Sequence, residues 1–134
     1  MSAKNKIINA FKGRSFVVYD NEDRPIDKEI EDFIYKINKC KGIITTNSCA
    51  GHSKEEKGSK ENYNPYLAFL VNDMGWRIFW TLILPEISAA IPVIIWVIHE
   101  GNSNSIMLRG EDYSDKDKFW VAVKKSFINH FINQ

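Results

Sequence analysis

Residues 45–52 read Thr-Thr-Asn-Ser-Cys-Ala-Gly-His. Hydroxyls, an amide, a thiol, a flexible backbone point and an imidazole thus stand in eight consecutive positions. Consecutive backbone N–H groups in a loop of this kind form a concave nest for anions. Thr45, Thr46, Asn47 and Ser48 add side-chain donors and acceptors, and Gly51 lets the backbone approach a ligand closely. The plainer alternative is a strand-to-loop exit whose hydroxyls cap their own backbone. Cys49 and His52, three residues apart, make a nucleophile and base only if the side chains meet and a third group orients the ring. The sequence names no such group, so no catalytic residue is assigned. Phosphate oxygens could be held by the Thr45–Ser48 donors without a metal, with His52 as a further donor. Tyr66 or Trp76 would stack on a base. Arg109 reads either as an anion clamp facing the loop or as a salt-bridged rim residue, and Arg77 has the same two readings.

The elements that must position this stretch are legible from apolar spacing. Ile30, Phe33, Ile34 and Ile37 share one helical face, which predicts a helix from Asp27 to Lys39. Acidic residues crowd its start and Lys36, Lys39 and Lys41 its end, as the helix dipole favours. Gly42 follows where a helix-terminating glycine belongs. Strands are expected at Ile43–Thr46, Tyr66–Val71, Val93–His99 and Ser105–Arg109, the last two joined by the turn chemistry of Gly101 to Asn104. Helices are expected from Met74 to Leu84 and from Asp115 to Phe131. Trp76, Phe79, Trp80 and Ile83 lie on one side of the former. Phe119, Trp120, Val123, Phe127 and Phe131 are the buried set of the latter. Pro85 should end or kink the first of these, leaving Glu86 to Ala90 as a connection. A short helix at Ala3–Lys12, a brief strand at Ser15–Tyr19 and a charged turn at Asp20–Pro25 precede them. The polar run Ser53–Asn64 is a solvated loop or a lid over the motif. The order predicts one α/β or α+β domain spanning residues 1–134, with helices packed on a small mixed sheet.

Composition narrows the function classes. The 134 residues are 44% hydrophobic and 26% charged, with a formal net charge of +1. A near-neutral chain is not held on nucleic acid by bulk charge. The apolar region from Ile83 to Ile98 is broken by Pro85, Glu86, Ser88 and Pro92, so no membrane span is expected. Two cysteines make no disulfide framework and suggest reduced thiols in a cytoplasm. The two cysteines and three histidines lack the spacing of a zinc motif, so neither metal nor cofactor is assigned. Neither a phosphate-binding glycine loop nor a nucleophile elbow is found. A homo-oligomer is left open.

The run Thr-Thr-Asn-Ser-Cys-Ala-Gly-His resembles the Thr-Thr-Ser-Ser-Cys-Ser-Gly-Arg signature of the wybutosine-synthesis methyltransferases. In that family a helix ending near an Ile-Asn pair precedes the signature, as Ile37-Asn38 does here. Pro65 to Val71 is similar to the family's Pro-Phe-hydrophobic strand, and the likeness runs from about Lys6 to Ile83. His52 stands where the family has arginine. The Ser-Cys-x-Gly-His run also resembles small phage proteins. The resemblance implies that family's scaffold and pocket. Three functions follow as expectations. The first is a protein that holds a nucleotide-derived anionic molecule without turnover, as a phage sponge sequestering an immune signal would in anti-defence. The second is an S-adenosylmethionine-dependent RNA-modifying enzyme, and the third a protein-interaction module. Thr45, Thr46, Asn47, Ser48, Cys49, Gly51, His52, Tyr66 and Arg109 are the expected ligand contacts.

Overall fold

A computed structural model describes residues 26–100 and 103–133. The helix and strand expected before Pro25, and Gly101-Asn102 of the expected turn, lie outside the described residues. Four strands form one antiparallel sheet: β1 (Ile43–Cys49), β2 (Tyr66–Asn72), β3 (Val93–Glu100) and β4 (Ser103–Gly110), in the order β1-β2-β4-β3. Helices α1 (Glu31–Asn38), α2 (Lys54–Lys57), α3 (Asp73–Ile78), α4 (Leu84–Ala90) and α5 (Lys116–Phe127) connect or cover it. The architecture is α+β, with helices packed on the sheet, as expected, but the sheet is antiparallel throughout where a mixed one was expected. Among the described residues no helix is long and apolar enough to cross a membrane.

Alternation along the strands sets the core. Leu67, Phe69 and Val71 of β2 and Ile106 and Leu108 of β4 point to one face and are buried. They meet Ile34 and Ile37 from α1, Ile87 from α4, and Phe119, Val123 and Phe127 from α5. Phe127 stands edge-on to Phe69 at 5.6 Å between ring centres, and Phe33 edge-on to Trp120 at 6.2 Å. Each such ring, fully buried, contributes about 1.5–3 kcal/mol. All five residues expected on the last helix's inner face are buried.

Three further expectations are corrected. The first helix is shorter than Asp27–Lys39: residues 28–30 form a turn and regular helix begins at Glu31. The first strand runs past Thr46 to Cys49, because Asn47, Ser48 and Cys49 pair with Ala68, Leu67 and Tyr66. The expected loop is therefore largely strand. Finally, Pro85 does not end its helix, and Glu86–Ala90 is not a connection. The chain widens into a π-helical segment at Phe79–Ile83 and continues as α4 to Ala90. The wider turn bonds the Leu84 N–H to the Phe79 carbonyl, five residues back. Such a bulge makes room for the ring of a proline that would clash inside a regular helix. It also keeps Ile83 and Ile87 buried together.

Candidate functional site

The end of β1 is positioned by a buried asparagine. Asn38, the last residue of α1, accepts from the Thr45 N–H at 2.8 Å. Its amide donates to the Thr45 hydroxyl at 2.7 Å and to the Ile34 carbonyl at 2.8 Å. Thr45 is thus committed to joining helix and strand. The register then slips, with Thr45 opposite Phe69 and Asn47 opposite Ala68, so Thr46 is the extra residue of a β-bulge. Thr46 is buried there. The bulge places Thr45 and Asn47 on opposite faces although they are two apart. The Asn47 side chain accepts from the Ser48 N–H at 3.0 Å.

Beyond Cys49 the chain turns through Ala50 and Gly51 to His52. Gly51 has φ +97°, a conformation open to glycine and strained for other residues. The close approach that it permits is to Lys116: a β-carbon would stand 3.2 Å from the Lys116 Cβ. The Trp120 indole N–H donates to the Ala50 carbonyl at 2.9 Å, and Lys116 Nζ to the Gly51 carbonyl at 3.3 Å. Helix α5 therefore holds this turn from below.

The turn meets a residue from far upstream. Asp27 Oδ2 accepts from the Ala50 N–H at 2.8 Å and lies 2.8 Å from His52 Nε2. The other ring nitrogen, Nδ1, is 3.2 Å from Glu56 Oε2 on α2. One ligand atom from each of Asp27, Cys49 and His52 lies within 4.8 Å of the other two. His52 is buried and Cys49 half-buried. Burial, with the charges of Asp27 and Glu29 adding to it, pushes the Cys49 thiol up from its ordinary value. The Gly51 N–H and Lys57 oppose this without reversing it. The hydrogen bond from His52 holds the Glu56 carboxyl below the ordinary range. Cys49 is therefore a neutral thiol near pH 7, and both nitrogens of its neighbouring imidazole face carboxylates. Among the described residues no hydrogen bond joins the Cys49 sulfur to that imidazole, as an activated nucleophile would require.

The run Ser53–Asn64 is folded. Its base is a two-way bridge between the backbones of His52 and Tyr63. Ser53 caps α2 by accepting from the Glu56 N–H at 3.2 Å, and Asn62 accepts from the Lys54 N–H at 2.8 Å. Helix α2 carries Glu56 to the imidazole, at position i+4 from His52.

Of the residues singled out by sequence, Cys49, Tyr66 and Arg109 lie in one cross-strand row. The Arg109 guanidinium sits 4.9 Å from the Trp96 ring centre, and its buried Nε has no hydrogen-bond partner among the described residues. Trp76 is stacked on Trp80 at 5.1 Å. His99 and His130 are held by Asn104 and Glu86 respectively. Sequence reasoning missed Asp27 and Glu56. Asp27 was legible only as one of several acids before a helix, and nothing local links it to a motif more than twenty residues away. Glu56 was legible only as one charge in a polar run.

The opposite end of β1 holds a cavity of about 590 Å³. Lys36, Lys39, Lys41 and His130 line it together with Met74, Ile78 and Phe131, and no carboxylate is among its lining residues. Lys36 pairs with Asp32 at 3.0 Å on the open surface. A second cavity of about 370 Å³ lies beside Ala50, with Glu29 and Asp117 opposing Lys116 and Lys124. Comparison with protein-family models, with curated proteins and with solved structures finds no match.

Proposed function

We propose that this chain is a small-molecule binding protein for an anionic, nucleotide-derived ligand, held without turnover. The observation that carries the reading is the lysine-rimmed cavity. Its volume falls within the range of about 300–1,000 Å³ usual for small-molecule pockets. Three lysines and several apolar side chains in one lining suit a ligand that combines phosphate with a flat, poorly hydrated body. The Lys36–Asp32 pair is too exposed to hold that lysine back from an anion. The neutral thiol of Cys49, with no hydrogen bond to the neighbouring imidazole among the described residues, supports binding over nucleophilic turnover. Sequestration of a phage-related immune signal fits this reading, as does a reducing cytoplasm for Cys40 and Cys49, neither of which is in a disulfide.

The test is calorimetric titration with nucleoside monophosphates, nucleoside triphosphates and cyclic nucleotides. At least one should bind, with affinity falling as salt rises. Replacing Lys39 and Lys41 together by glutamate should weaken that binding at least 10-fold, while His52→Ala leaves it unchanged. Absence of binding across the panel, or binding indifferent to the lysines, would refute the reading. S-adenosylmethionine belongs in the same titration, since the family resemblance makes methyl transfer the second reading. A sulfonium centre gains nothing from three lysines, so it should bind weakly or not at all.

A further inference from the structure

We infer that Asp27, Cys49 and His52 form a site for one divalent transition-metal ion of the zinc class, with Glu56 orienting the imidazole. The site stands at the other end of β1 from the lysine cavity and does not depend on the ligand proposed there.

The argument begins with the imidazole. A ring carrying one proton can donate to only one of its two carboxylate neighbours. With Glu56 accepting from Nδ1, the Nε2 lone pair faces Asp27 Oδ2 at 2.8 Å, acceptor against acceptor. A positive charge between them removes the conflict. Cys49 brings its ligand atom to the same point, within 4.8 Å of both partners. A metal uses all three.

The dimensions agree. Bonds of about 2.0–2.3 Å in a tetrahedral zinc site set ligand atoms roughly 3.3–3.7 Å apart. The 2.8 Å Asp27–His52 contact would open by less than about 1 Å, and the sulfur, within 4.8 Å of both, would move inward by at most about 1.5 Å. The donor set selects the metal. One thiolate, one imidazole and one carboxylate suit zinc and its neighbours, whereas magnesium and calcium prefer all-oxygen shells. Binding breaks the Cys49 S–H bond. The proton leaves to solvent, and the sulfur's electron pair forms the metal bond. Asp27 and the thiolate then balance the dication. Glu56 on Nδ1 is the outer carboxylate that metal-bound histidines generally have. Three protein ligands leave a fourth position for water.

The test uses the full chain, reduced and freed of metal, titrated with cobalt(II). One equivalent should bind with a thiolate-to-cobalt charge-transfer band in the near ultraviolet, and zinc should displace it. Cys49→Ser should abolish the band, and Cys40→Ser should leave it intact. Asp27→Asn retains the acceptor for the Ala50 N–H and should weaken binding at least 10-fold. Glu56→Gln should weaken it about 10- to 100-fold. Should a variant fail to fold by circular dichroism, the wild-type protein still decides: zinc must raise its melting temperature. No thiolate band at one equivalent, a band that follows Cys40 instead of Cys49, or a melting temperature indifferent to zinc would overturn the assignment.

Discussion

Asn38 shows how much of this region rests on one side chain. It meets the Thr45 N–H, the Thr45 hydroxyl and the Ile34 carbonyl from a buried position. Asn38→Leu fits the space roughly but leaves the Thr45 N–H unpaired, which costs about 1–3 kcal/mol. Thr45→Val removes only the hydroxyl and should cost less, about 1 kcal/mol. Urea denaturation of both variants checks the order, and an Asn38→Leu protein as stable as the wild type would contradict it. Asn38 was legible in the sequence only as the second residue of an Ile-Asn pair. Its partner, Thr45, was legible as a donor but not as one already engaged. Hydrogen-bond commitment depends on where α1 ends relative to β1, and residue type alone does not carry that.

The elements divide by whether their cause is local. The faces of α1 and α5 follow from apolar spacing, and the sequence showed them because burial of Ile34, Ile37, Phe119 and Phe127 uses that same spacing. The π segment before Pro85 has a tertiary cause. Continuing the helix keeps Ile87 buried and brings Glu86 over α5, where it accepts from Ser126 at 2.7 Å and from His130 at 2.7 Å. Those hydrogen bonds, His130 first, lower the Glu86 pKa from its ordinary 4.5. A carboxyl with a lowered folded pKa contributes stability that is present above pH 4.5 and lost as the pH falls through the folded value. The difference in melting temperature between wild type and Glu86→Gln should therefore be largest near neutrality and shrink below pH 4.5. A difference constant from pH 7 to pH 3 would show that Glu86 acts by packing.

Across the whole molecule, a formal charge of +1 conceals an uneven distribution of charge along β1. Lys36, Lys39 and Lys41 gather before its start with no carboxylate in the cavity they line, whereas around its end Asp27, Glu29 and Glu56 are mixed with Lys57 and Lys116. A net count could exclude bulk attraction to nucleic acid, but it could not show that each end has a field of its own. Raising salt from 50 to 500 mM should weaken nucleotide binding markedly while changing cobalt binding little, because a coordinated ion is held by bonds shorter than any screening length.

Because β1 is an edge strand among the described residues, hydrogen-bonded to β2 alone, it can detach without breaking the other strand pairings. Detachment would dismantle both ends together. An occupant that requires the docked strand therefore closes the same opening whichever end it occupies, and the two occupants become thermodynamically linked with no contact between them. Hydrogen exchange in residues 43–49 should slow when either zinc or nucleotide is added. Each should tighten the other's binding by the same factor. Exchange that slows at one end alone would mean that β1 opens in two parts, hinged at the Thr46 bulge.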